Sequence, residues 1–342
     1  MPDTRHPTPD THMFHIHNGD SSADTAKQTS LPGEHFAFRE ALITGPTPSD
    51  LTPSEWRQVR ARHLSESYGV ELEKCERELS DQEEKLATCL QHDEVVLWFE
   101  HDLFCQIHLI YLLNWFAQQH LNQTKLSLIC TGTFPGKENF RGLGELNSDE
   151  LASLFPKRQQ VTPEQLKLAT AAWQAFSSSA PTEIEKVLEA GTVALPYLDA
   201  ALRAHLRRFP STTSGLGAVE RRGLELIHNG LTSFKHLFPR FGDAEPVYGL
   251  GDAQFWLTLK RMTEARQPLL TLNNGNGEQK LGANVNLEAV FEVTNLGEAV
   301  LKGNADFVEL NGIDLWLGGV HLDGDATPWR WDDQLGRVVS DW

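Results

Sequence analysis

Met13-Phe-His-Ile-His-Asn-Gly-Asp-Ser-Ser22 is the stretch from which the fold is read. Met13 to His17 has the pattern of a short strand, Asn18 to Ser21 that of a turn, and Ser22 to Thr29 can run on as a helix. A strand that ends in a glycine turn and opens a helix presents free backbone N–H groups and the positive end of a helix dipole. That arrangement suits an anion. Gly19 permits a positive φ or a close backbone approach. Ser21 or Ser22 can cap the helix. Asp20 works against a simple phosphate cradle, because its charge repels one; it suits a ribose hydroxyl, a metal or an amine. Neither standard nucleotide fingerprint is present. The plainer alternative is an ordinary strand-to-helix turn.

Moving outward, His35 to Phe38 reads as a second strand, followed by Arg39-Glu40. Thr52-Pro-Ser-Glu55 is a helix start, with a Thr cap, Pro at the first position and acid in the first turn. The chain stays charged and helical to about Gln91. Glu94 to Phe99 is apolar on successive residues, as in a strand buried on both faces. A helix over Leu103–Gln119 and a strand over Lys125–Cys130 follow. Strands alternating with helices predict an α/β fold with a Rossmann-like parallel sheet over residues 13–147.

Ligands of such sheets sit beyond the carboxyl ends of the strands. That rule selects Asn18, Gly19, Asp20 and Ser21, then Arg39 and Glu40, Glu100-His101-Asp102, and Thr131 to Thr133. Glu100, His101 and Asp102 form the densest ionisable cluster. Three such groups after a buried strand are costly without partners, and they are the types used in acid–base catalysis or divalent-metal binding. Asp102 alternatively caps the next helix, with Gln106 one turn further on the same face. Arg39 either clamps a carboxylate or phosphate or pairs with Glu40, Asp20 or Glu100. His15 and His17 share one strand face and read as structural. Gly19-Asp-Ser21 also resembles the nucleophile block of GDS-type hydrolases, but no convincing Asp-x-x-His partner precedes residue 150.

Residues 148–213 read as a helical segment. Residues 214–303 read as three helices and a two-stranded wing, a winged-helix-like α+β domain. Residues 304–342 read as a short-strand extension packed by Trp316, Trp329 and Trp331. Residues 1–12, rich in Pro, Asp, Thr and His, read as a disordered tail without the features of a secretory signal. A net charge of −17 should repel nucleic acid and anionic membrane. Residues 214–303 carry nine basic and ten acidic groups, so DNA, although possible for this layout, is not supported by charge. No apolar run reaches the ~20 residues of a membrane span. Cys75, Cys89, Cys105 and Cys130 are scattered and read as reduced, packed thiols of a cytoplasmic protein.

Three blocks together resemble a bacterial family called domain of unknown function 1835. They are His15-x-x-Asn18-Gly-Asp-Ser21, Phe38-Arg-Glu-x-Leu42-x-x-Gly45-Pro46 and Leu97-Trp-Phe-Glu-His-Asp-Leu103-x-x-Gln106. Gly215-Leu-x-x-x-Glu220-Arg221, Gly312-Ile-Asp-x-Trp-x-Gly-Gly-Val-His-Leu322 and Trp329-Arg-Trp-Asp332 look like its long proteobacterial members. Glu40 stands where aspartate is expected, a change that keeps the charge. The resemblance carries no activity to transfer, and cofactor, metal and oligomeric state stay open. The sequence therefore leads us to expect a small anionic or nucleotide-like ligand at the strand ends, in a sensor or regulator acting through the winged-helix-like unit. The alternatives are a hydrolase or transferase acting on a phosphorylated or nucleotide substrate, with Glu100, His101 and Asp102 as its chemical groups, and a protein-interaction scaffold.

Overall fold

A computed structural model describes residues 12–273, 284–325 and 327–340. Most of the expected tail and part of the expected wing fall outside these. The first half contains β1 (Met13–Asn18), α1 (Asp20–Ala26), β2 (Glu34–Phe38), α2 (Pro53–Tyr68), α3 (Leu72–Thr88), β3 (Glu94–Glu100), α4 (Leu103–Ala117) and β4 (Lys125–Thr131). Next come α5 (Ser148–Ala152), β5 (Gln159–Gln160), α6 (Pro163–Phe176), α7 (Thr182–Ala190) and α8 (Leu198–Leu206). The remainder runs α9 (Ala218–His228), α10 (Phe234–Ala244), α11 (Asp252–Thr263), β6 (Leu270–Asn273), β7 (Val290–Val293), α12 (Asn295–Leu301) and α13 (Phe307–Asn311). The hairpins β8 (Ile313–Leu317) with β9 (Val320–Gly324), and β10 (Arg330–Asp332) with β11 (Arg337–Val339), complete it.

The main sheet has the order β2-β1-β3-β4-β5. Its first four strands are parallel, as expected; β5 is antiparallel to β4, pairing Gln160 with Ser127. This corrects the reading of residues 148–213 as helical throughout: a two-residue strand is too short to show a period in sequence. The chain leaves β1 toward β2 and then returns to β3 on the other side. That reversal opens a crevice at the carboxyl ends of β1 and β3, where doubly wound sheets bind ligands.

Alternation along β3 feeds two cores. Val95, Leu97 and Phe99 join the larger one, while Val96 and Trp98 face the smaller one with Ile129, Leu143 and Leu151. The larger core continues without a break through α4, α6 and α8 into α9, α11 and the strands β6 to β9. Helix α4 is its axis. Leu103, Cys105, Ile107, Leu109, Ile110, Leu112, Leu113 and Phe116 are all buried, and so are the polar Gln106, His108 and Asn114. A helix apolar on every side must be covered on every side. Here β3, α6 and α8 enclose it. Among the described residues, no helix is long and apolar enough to cross a membrane.

The loop after β2 is pinned by a buried ion pair. Arg60 of α2 donates to the Glu40 carboxylate (2.8 Å) and to the carbonyl oxygens of Ala41, Thr44 and Pro46. Burial would push the Glu40 carboxyl up, but Arg60 holds it below its ordinary range. Removing one partner of such a pair strands a charge, which costs roughly 3–5 kcal/mol. Arg60→Ala should therefore lower unfolding stability by about that much in urea titrations. Arg39→Ala, which breaks an exposed pair, should change it by under about 1 kcal/mol.

Candidate functional site

The strand-end residues chosen from sequence separate into an outer and an inner group. On the outside, α1 begins at Asp20, so Ser21 and Ser22 lie within the helix rather than capping it. Gly19 holds the cap position with φ 90°, a conformation that favours glycine. Asp20 opposes any anion at this short helix, and the positive partner it takes is Arg39. The Arg39 Nε donates to both carboxylate oxygens, at 2.9 and 2.8 Å. Both side chains are exposed, and Arg39 keeps the Asp20 carboxyl below its ordinary range. Of the two roles weighed for Arg39, pairing is the one seen. Ser21 Oγ donates weakly to the Gly144 carbonyl at 3.5 Å. Thr131 and Thr133 bond within their own turn.

On the inside, Asn18, Glu100, Asp102 and Gln106 meet around Cys105. Asp102 ends the turn after β3 and caps α4, accepting from the Cys105 N–H at 2.8 Å. Cys105 therefore lies beside its cap. Its thiol donates to Glu100 Oε2 (3.1 Å) and accepts from Asn18 Nδ2 (2.7 Å). Gln106 Nε2 donates to the Glu100 carbonyl at 2.6 Å, which fixes the end of β3. His108 Nε2 accepts from the Leu42 N–H, so its Nδ1 carries the proton donated to Asn18 Oδ1 (2.7 Å). Burial holds His108 neutral, with its pKa lowered to about 3.

Two carboxylates and a thiol thus lie together in the interior. Their donor atoms fall within 4.8 Å of one another, a spacing that can hold a metal ion. Among the described residues, neither Glu100 nor Asp102 has an ion-pair partner. Burial pushes the Asp102 carboxyl up to about 7, and the neighbouring Glu100 charge adds to this. Burial likewise raises Glu100, against the bonds from Cys105 and the Leu143 N–H, and raises the Cys105 thiol well above its ordinary range. His101 stands apart from these hydrogen bonds, near the Tyr197 ring, with Nδ1 buried and without a partner.

Glycines close over the cluster. A Cβ on Gly249 would lie 2.1 Å from Asp102 Oδ1, and one on Gly142 would lie 2.7 Å from the Glu100 carboxyl carbon. Gly142 comes from the loop after β4, whereas Gly249 comes from the turn before α11, so the C-terminal half completes the cover.

Sequence reasoning read Cys105 as an inert core thiol and did not include His108, Gly142 or Gly249. The Asp102-x-x-Cys105 spacing carried the available signal, since the third residue after a helix cap returns to it. The histidines behave as expected of structural groups. His15 stacks on His35 (4.4 Å between ring centroids) and accepts from Trp98 Nε1, and burial lowers its pKa to about 4. No family model matches the chain, and no curated protein matches it significantly.

The folded state binds the Asp102 proton more tightly than the unfolded chain does. Its contribution to stability is therefore complete below about pH 4 and lost as pH rises to about 7. Asp102→Asn keeps a good cap and cannot ionise. Urea midpoints at pH 5 and pH 8 should show the variant gaining on the parent at the higher pH. Parallel behaviour of the two proteins would contradict the assignment.

Proposed function

We propose that the chain binds a small ligand at the carboxyl edge of its parallel sheet, with a divalent cation held by Glu100, Asp102 and Cys105. The observation that carries this is the meeting of two carboxyl groups and a thiol within ligand distance, without an ion-pair partner among the described residues. Such a cluster needs a cation or a retained proton. Mixed oxygen and sulfur donors favour zinc, manganese or ferrous iron over magnesium or calcium. A bound cation would supply positive charge to a phosphate or carboxylate, at an edge where Asp20 otherwise repels one. The ligand class remains the small anionic or nucleotide-like one expected from the strand ends, in a cytoplasmic protein.

A hydrolase or transferase is the second reading. It is favoured by the Asp102 pKa near 7, where a carboxyl group can pass a proton at neutral pH. Membership of the family called domain of unknown function 1835 belongs to the proposal and rests on the strand-end motifs.

The order of α9, α10 and α11 followed by the β6–β7 hairpin supports a winged-helix-like reading of residues 214–303. Its use as a scaffold is better supported than DNA binding. Arg261 of α11 is ion-paired with Glu220, and Arg266 donates to the Leu310 carbonyl. The α11 face that carries Arg261 also lines a groove with Phe307, Asn311 and Ile313.

Thermal unfolding of metal-free protein tests the proposal. Zinc or manganese should raise the midpoint, magnesium should not, and Cys105→Ser should remove most of the gain. An unchanged midpoint with every metal would leave the cluster as a proton store and overturn the cation reading.

A further inference from the structure

A cavity of about 310 Å³ shares no lining residue with the strand-end cluster. Five parts of the chain converge on it: the loop after β2 (Thr44, Gly45), α2 (His63, Ser67), the α9 and α11 helices, and β8. Val219, Leu250, Leu257, Leu315, Trp316 and Leu317 supply its apolar lining, and most of the remaining lining is polar. Arg208, just beyond the end of α8, also lines it.

Arg208 and Arg261 share the cavity lining with Glu220 and Asp314, but only Arg261 and Glu220 pair directly. Glu220 is consumed by Arg261, and Asp314 faces solvent beside His321. His63 is bonded through both ring nitrogens, to Thr44 and Ser67, and burial lowers its pKa to about 4, so it is neutral. Arg208 is different. Its side chain has no ion pair or hydrogen bond among the described residues, and its Nη1 is cut off from water without a partner. Burial works against its charge. A guanidinium placed this way is offset only at a distance, by Glu220, and lacks a direct partner, at a cost to the fold.

We propose that this cavity binds a small organic anion, its carboxylate or phosphate head on Arg208 and its apolar body against Trp316 and the leucines. The volume is at the lower end of small-molecule sites, and apolar side chains together with placed polar groups line such sites. Arg suits such a head because its planar fork matches two anionic oxygens. In a chain of net charge −17, one unpaired interior arginine also discriminates for anions over neutral analogues.

Calorimetric titration of the full chain with benzoate, phenyl phosphate, inorganic phosphate and neutral benzamide tests this. At least one organic anion should bind saturably and at least tenfold more tightly than benzamide. Preference between benzoate and phenyl phosphate identifies the head group. Arg208→Gln should weaken binding at least tenfold, whereas Arg39→Gln should leave it unchanged. Arg208→Gln should also be no less stable than the parent, since it removes an unpaired charge. If that variant does not fold, Leu257→Trp, which fills the cavity, should abolish binding instead. Equal affinity for benzamide, undiminished binding in the folded variants, or no saturable binding by any organic anion would overturn the proposal.

Discussion

The enclosure of α4 governs the rest of the structure. Eleven of its fifteen residues are buried, and even Gln106, His108 and Asn114 are turned inward. The N-terminal sheet covers one side alone. The others are supplied by α6 and α8, with the turn before α11 also packed on the helix. An apolar helix of this kind stabilises the fold through burial on the order of 1.5–3 kcal/mol per large side chain, and it draws the C-terminal half onto the sheet to do so.

That enclosure has an electrostatic consequence. The cap of α4 is Asp102, so covering the helix also covers the cap, and Glu100 at the end of β3 goes with it. Elsewhere the chain neutralises its buried charges: Glu40 with Arg60, Glu94 with Arg158, Asp306 with Arg330. The strand-end cluster and Arg208 depart from this habit, one with acidic groups and the other with a guanidinium that lack a direct ion-pair partner. Real proteins break local rules of this sort chiefly at functional sites, which is why both places carry functional readings here.

The sheet was legible because its strands are short, apolar and separated by helical patterns. β3 showed itself by apolar residues in succession, and α2 by the Thr52 cap, Pro53 and Glu55, with Thr52 and Glu55 closing a capping box in the structure. The strand-end rule also reached Asn18, Glu100 and Asp102 of the inner cluster, and helix spacing from Asp102 added Gln106. It could not separate them from Asp20 and Arg39, since only the fold shows that one pair faces solvent while the other groups are buried or half-buried. Gly249 and Arg208 were beyond reach for a simpler reason. Each acts through contacts with residues far away in sequence, and nothing local marks a glycine that must touch Asp102 or an arginine left without a partner. β5, two residues long, has no period to read.

The central claim is that the charge buried at the strand ends awaits a cation. Zinc binding at pH 7, followed by calorimetry in buffers of different ionisation enthalpy, tests it most directly. The account predicts saturable binding with release of protons, because the Cys105 thiol and the raised carboxyl groups must give theirs up to bind metal. Absence of binding, or binding with no proton release, would contradict it.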